Sequence, residues 1–103
     1  MALSRDLFLG FIKLHILHHA SREPIYGLWL IEELARHGYQ LSPGTLYPML
    51  HSLEEAGWLA SKERVAAGKV RKYYTTTRKG KAALAEARVK ARELLDEIGD
   101  VGS

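Results

Sequence analysis

There is no cysteine in the 103 residues. Disulfides, thiolate metal sites and cysteine nucleophiles are therefore excluded, and the composition fits a reducing cytoplasm. Long hydrophobic runs are missing too. The apolar stretch from Leu7 to Leu17 is broken by Gly10, Lys13 and His15. It is too short and too polar to span a membrane, and no small-residue cleavage site follows it as in a signal peptide. The chain has no internal repeat and no low-complexity segment. It also lacks a nucleophile–base–orienter set, a glycine loop of the phosphate-cradling kind and a complete metal motif, so no enzyme is expected. Proline is scarce, at three residues, and each one punctuates the chain at a useful place. A chain of this length buries roughly two thirds of its unfolded surface, which suits one modest core. All-helical chains this short often gain stability by dimerising.

What is present begins with charge. The net charge is only +3, but it is unevenly spread. Between Lys62 and Lys81 lie eight basic residues and one acid, giving +7 and leaving −4 for the rest. A localised basic segment on an otherwise acidic chain is the electrostatic footprint of a polyanion-binding surface. The plain alternative is a solvated charged hairpin.

The pattern of apolar residues predicts four helices and a hairpin. A first helix is expected from Arg5 to Ala20, apolar over a wide arc (Leu7, Phe8, Phe11, Ile12, Leu14, Ile16, Leu17) and so buried on two sides. Ser21-Arg22-Glu23-Pro24 breaks it. A second helix is expected from Ile25 to His37, with Leu30, Ile31 and Leu34 inward and Gly38 just past its end. Gly27, near its start, suits close approach of another helix. Ser42 is read as the N-cap of a third helix, with Pro43 at the first helical position. Leu46, Leu50 and Leu53 share its inner face and Gly57 stops it. Its other face carries Thr45, Pro48, His51 and Ser52. Trp58–Val65 and Val70–Thr77 are β-leaning runs about the turn Ala66-Ala67-Gly68-Lys69. Thr77 is read as the cap of a last helix over 78–98, whose interior Gly80 predicts a ragged first turn. In that helix Leu84, Ala91 and Ile98 fall seven apart, with Ala87 and Leu94 at the complementary heptad positions. This is a narrow seam for a partner helix or for the chain's own core. Asp100–Ser103 reads as a frayed tail.

Helix, helix-turn-helix, basic hairpin and long helix, in that order, make a winged helix-turn-helix: mainly α, with one small β-hairpin. Two parts are expected, a DNA-binding domain over 1–77 and a C-terminal dimerisation helix and tail over 78–103. The third helix would offer its N-terminal N–H groups to a phosphate. Thr45, Tyr47 and His51 can reach base edges or backbone. Lys69, Arg71 and Lys72 on the wing would neutralise phosphates or enter the minor groove. Tyr73 and Tyr74 point to opposite faces of their strand, one to the core and one to assist backbone binding. The candidate DNA-contact set is Ser42, Gly44, Thr45, Tyr47, Pro48, His51, Lys69, Arg71, Lys72 and Tyr73.

Over nearly its whole length the chain resembles the PadR family of transcriptional regulators. The resemblance rests on Leu41-Ser42-Pro43-Gly44-Thr45-Leu46-Tyr47-Pro48 with the following Leu-x-x-Leu-Glu and Gly57. Two further blocks add to it: Gly68 with Arg71-Lys72-Tyr73-Tyr74 and Thr77-Arg78-Lys79-Gly80, and the segment Pro24-Ile25-Tyr26-Gly27. With a single helix at its end, the chain is similar to the short-C-terminus members. The resemblance implies a homodimer that binds a palindromic operator on double-stranded DNA, usually as a repressor, with no membrane partner. It also implies no required cofactor and an effector, often aromatic, that weakens DNA binding. The effector pocket or dimer interface is then expected at Trp29, Phe8, Ala91, Leu94 and Ile98. Three residues depart from the family pattern. Val70 stands where a basic residue is common, and Thr76 where an apolar one is. Trp29 replaces a polar residue, which points to a dimer contact, a ligand wall or extra core.

His15, His18 and His19 form a separate group. His15 and His19 share a helix face, and imidazole suits zinc, nickel and copper. A metal-responsive repressor holding a divalent ion there is one alternative, with Glu23 or a partner subunit completing the set. Interfacial or solvated histidines, or a pH-sensitive cluster, are the others. A winged helix used only for protein contacts is the remaining alternative function.

Overall fold

Ser4 opens the chain's first helix by accepting the Leu7 N–H at 3.2 Å. A computed structural model describes residues 4–99, so the tail expected at Asp100–Ser103 lies outside the described residues. Helix α1 covers Arg5–Arg22, two residues past its expected end. Phe8, Ile12, Ile16, Leu17 and Ala20 are buried along one face. Leu7 and Phe11 on another face are 55% and 46% exposed. The two-sided apolar pattern therefore has one side covered within the chain and one side open.

The second helix starts later than the sequence suggests. Ile25 is not helical but extended, and it bridges the wing through Ile25 N–H to the Tyr74 carbonyl (3.0 Å) and Tyr74 N–H to the Ile25 carbonyl (2.7 Å). Pro24 forces the residue before it out of the helical region, and a β-branched residue fits the strand edge. Helix α2 then covers Gly27–Arg36, with Leu30 and Leu34 buried. It closes with the Tyr39 N–H on the Leu34 carbonyl and Gly38 at φ +86°. Helix α3, Pro43–Glu55, ends the same way: the Trp58 N–H bonds the Leu53 carbonyl and Gly57 sits at φ +83°. Both are Schellman closures, which need a left-handed residue just past the helix. Each turns the chain sharply after a short helix, and this sets α3 against α2.

Strands β1 (Leu59–Ala66) and β2 (Lys69–Thr76) pair antiparallel, with Ala66 opposite Lys69. Ala67 and Gly68, at φ 53° and 77°, form a two-residue turn with both φ values positive, the form that follows the twist of a hairpin. Leu59, Tyr74 and Thr76 face the core. Thr76 donates its hydroxyl to the Leu17 carbonyl at 2.8 Å and so ties β2 to α1.

Helix α4 covers Arg78–Ile98, and Thr77 caps it by accepting the Gly80 N–H at 3.1 Å. The same Thr77 hydroxyl donates to the Gly57 carbonyl at 2.6 Å. The first turn is not ragged, contrary to what Gly80 suggests. A Cβ at Gly80 would lie 2.2 Å from the Trp58 carbonyl oxygen, so glycine is what lets α4 start against the wing. Leu84 is the last α4 side chain in the core, and every residue from Arg88 to Ile98 is exposed. The molecule measures 55 × 30 × 20 Å, with a radius of gyration of 15.1 Å. That exceeds the roughly 13 Å of a compact chain this long, because the second half of α4 stands away from the core.

Candidate nucleic-acid interface

Helix α3 divides as its sequence suggests. Leu46, Met49, Leu50 and Leu53 are buried, while Ser42, Gly44, Tyr47, Pro48, His51 and Ser52 are exposed. Ser42 occupies the N-cap position, but its hydroxyl bonds the Thr45 hydroxyl at 3.3 Å instead of a backbone N–H. The side-chain cap expected there is thus absent, and Thr45 is half-buried beneath it. Pro48 lacks the N–H that would bond the Gly44 carbonyl, so the outer face of the first turns is short of one helical bond. Tyr47 leans its ring on Gly27: a Cβ there would come within 2.5 Å of the tyrosine oxygen. This is the close approach that Gly27 allows, and it sets the Tyr47 hydroxyl at the start of α2. His51 pairs with Glu55 at 3.1 Å, with both side chains 69% exposed.

The wing's cations fall into two groups. On its outer face Arg64 and Arg71 are directly opposite each other in the register. Arg71 stacks over the Tyr26 ring at 4.4 Å and Arg64 over the Tyr73 ring at 5.2 Å, and the two rings meet edge to face at 5.5 Å. The aromatic faces offset the repulsion between paired like charges. Tyr73 is the outward tyrosine of its pair, half-buried under this stack, and Tyr74 is the core one. Burial raises the Tyr74 phenol above its usual pKa. Lys72 lies on the other face, 3.6 Å from Glu54 of α3 and above the Tyr74 ring. Glu54 also accepts from the Ser61 hydroxyl at 2.5 Å, which fixes the wing to α3. Lys69 and Val70 stand exposed beside the turn. Lys79 donates to the Ala56 carbonyl at 2.9 Å, closing the end of α3.

Sequence reasoning missed Arg5 and Lys13. They line a shallow groove of about 260 Å³ with Gly44, Thr45, Pro48 and Ser52, placing α1 cations beside the exposed start of α3. No local signal marks them, since the groove arises only when α1 packs on α3.

The residues expected at an effector site or dimer interface do not share one place. Phe8 is buried with its ring tilted against Tyr39, centroids 5.3 Å apart. Trp29 is half-buried, edge-on to His19 at 5.5 Å. Ala91 lines a groove of about 280 Å³ between α1 and α4 with Phe11, Leu14, His18, Leu84 and Ala87. Leu94 and Ile98 lie further along α4, 54% and 49% exposed.

The histidines regroup. His15 and His19 come together with His37 of the α2 end, not with His18. His18 meets the edge of His19 at 5.1 Å and lines the α1–α4 groove. Glu33, one turn before His37, reaches His37 Nε2 at 3.1 Å and His19 Nε2 at 3.8 Å. Burial holds the His15 and His19 imidazoles below the ordinary histidine range, and neighbouring histidines add to the effect.

A helix-turn-helix with an outward polar face, followed by a hairpin whose arginines stand clear of carboxylates, defines a winged-helix DNA-binding protein. Among the described residues no helix is long and apolar enough to cross a membrane. The model of the Transcriptional regulator PadR-like family matches residues 16–86. Transcriptional regulator Rv3488 of Mycobacterium tuberculosis is 52% identical over 94 residues, spanning 91% of this chain and 88% of that one. A PadR family regulator from Eggerthella lenta superposes with a TM-score of 0.81 at 38% identity, covering 93% of this chain and 85% of its own. A PadR-like regulator from Bacillus cereus gives a TM-score of 0.85 at 26% identity, over 93% and 95% of the two chains. The chain belongs to the PadR-like family: it is a DNA-binding regulator of transcription, not an enzyme.

Proposed function

We propose that this regulator is a cytoplasmic homodimeric repressor that binds a palindromic operator and releases it in response to an effector. The carrying observation is that exposed Tyr47 of α3 rests on Gly27, the residue after Tyr26, whose ring carries Arg71 of the wing, so the open face of α3 and the wing meet at the start of α2. In this reading α3 lies in the major groove, where Thr45 and His51 read base edges. Ser42, Gly44, Tyr47 and Pro48 approach the backbone at the helix start. Lys69, Arg71, Lys72 and Tyr73 take the flanking phosphates or the minor groove. The bare seam of α4 (Ala91, Leu94, Ile98) and the open side of α1 are where a second copy fits. An aromatic effector would enter the α1–α4 groove, whose lining is mostly apolar.

Gel shift against fragments from around its own gene, at physiological salt, tests this reading. One preferred fragment bound by two chains is expected. Uniform weak binding to all fragments would instead favour a winged helix used for protein contacts. Substituting Arg71 with alanine should weaken binding to every sequence and reduce the slope of log K against log salt by about 1. Substitution of Thr45 or His51 should alter sequence preference and leave that slope in place.

A further inference from the structure

Four side chains from two helices converge on one point for which operator binding has no use. His15 and His19 lie one turn apart on α1, and Glu33 of α2 lies one turn before His37, the residue that caps the end of α2. This i, i+4 spacing puts both members of each pair on one helix face. One ring nitrogen from each of His15, His19 and His37 lies within 4.8 Å of the other two. The Glu33 carboxylate reaches two of them, with Oε2 at 3.1 Å from His37 Nε2 and 3.8 Å from His19 Nε2. The His19 Nε2 atom is buried and has no hydrogen-bond partner. A buried, unsatisfied imidazole nitrogen aimed at a carboxylate and two more imidazoles is costly unless something else bonds it.

We propose that His15, His19 and His37, with Glu33 as fourth donor, bind one divalent transition-metal ion of the zinc, nickel and cobalt class. Three imidazoles and a carboxylate are the donor chemistry such ions take, while calcium and magnesium need oxygen-rich shells. Tetrahedral coordination with metal–nitrogen bonds of about 2.0–2.1 Å puts donor atoms about 3.3 Å apart. His37 is exposed at the α2 end, so its ring has room to turn toward the other donors. The surroundings already orient the set. Arg36 Nη1 holds the other Glu33 oxygen, Oε1, at 2.7 Å and leaves Oε2 free to face the histidines. Trp29 stands edge-on to His19 and Tyr39 edge-on to His15, with centroids at 5.5 and 5.1 Å. Arg36 is the kind of hydrogen-bonded outer partner that orients a ligating carboxylate.

The site ties the end of α2, where the chain turns toward α3, to α1. An ion there favours whichever arrangement of the helix-turn-helix brings the four donors closest. It can therefore bias operator affinity, as any ligand does that binds two conformations unequally. This coupling rests on the operator-binding reading above, whereas the site itself does not.

The test uses untagged full-length protein stripped with chelator. Cobalt(II) titration should give the strong visible bands of a tetrahedral ion, saturating at one per chain, and zinc should displace it. Losing a partner of a ligand lowers metal affinity 10–100-fold, so loss of a ligand itself in His37→Ala or Glu33→Gln should cost about 100-fold or more. Glu86→Gln, at an exposed position on α4, should keep the parent affinity. Circular dichroism establishes that each variant is folded. A folded parent that shows no cobalt bands and retains no zinc would overturn the site, leaving a stacked histidine cluster held by Glu33. So would a folded His37→Ala variant with undiminished affinity. Operator binding with zinc and with chelator then tests the coupling. A several-fold difference that vanishes in His37→Ala supports it, and equal affinities overturn the coupling but not the site. A protein that binds metal but no DNA fragment would instead refute the operator reading.

Discussion

Single residues in this chain matter most where a backbone needs room. Gly27 and Gly80 look alike in sequence, each near the start of a helix, yet their neighbours differ. Gly80 faces a carbonyl oxygen that cannot move without moving the wing, whereas Gly27 faces the far end of a tyrosine side chain. A β-carbon at position 27 should therefore cost stability only while Tyr47 is present. Gly27→Ala is expected to destabilise by about 1–3 kcal/mol in the parent and by much less in a Tyr47→Ala background. Denaturant unfolding of the four proteins measures the difference; equal costs in both backgrounds would show that the ring is not the obstacle. The sequence marks Gly38, Gly57 and Gly68 correctly because turn chemistry is local. It misreads Gly80 because the Trp58 carbonyl is supplied from across the fold.

At the scale of elements, the same split between local and remote causes decides what could be read in advance. The inner faces of α2 and α3 follow the helical period of Leu30, Leu34, Leu46, Leu50 and Leu53. The hairpin follows its β-branched runs and its glycine turn. Ile25 escapes such reading, since its partner Tyr74 is far along the chain and only a third extended segment beside β2 makes it a strand residue. Thr76 escapes it too. Its methyl suits the core and its hydroxyl satisfies a main-chain oxygen of α1, so a polar residue is stable at an apolar position. Thr76→Val keeps the shape and removes the donor. It should lower stability by about 1 kcal/mol, read as a shift in the denaturant midpoint with the slope unchanged. No shift would mean that the bond to Leu17 contributes nothing net.

For the whole molecule, the elongated outline is the telling property. Leu94, Leu95 and Ile98 are 54%, 64% and 49% exposed on a helix that leaves the core after Leu84. Heptad spacing made this seam legible, but the sequence could not say whether it closes on its own domain; within one chain it does not. Leu94→Asp should shift the protein toward single chains in sedimentation and weaken operator binding at low protein concentration. Single chains in the parent at the same concentrations would remove the dimer from the account. The candidate DNA surface was legible as far as the outer face of α3 and the basic wing. The tethering of Lys72 to Glu54, and the approach of Arg5 and Lys13 to α3, were not, because they depend on how helices and hairpin pack. For the same reason His37 and Glu33 could not be joined to His15 and His19 from spacing alone.

The stacking of Arg64 and Arg71 on tyrosine faces bears on how the wing meets a duplex. Among the described residues neither guanidinium is in an ion pair, while Lys72, Lys79 and His51 are each held by an oxygen of this chain. An incoming phosphate therefore displaces no carboxylate at the two arginines. Their long side chains are already restrained, so association forfeits less rotamer freedom there than it would with free lysines. In the proposed complex, contact strength at this corner would be set by preorganisation during folding, in which the aromatic supports Tyr26 and Tyr73 share.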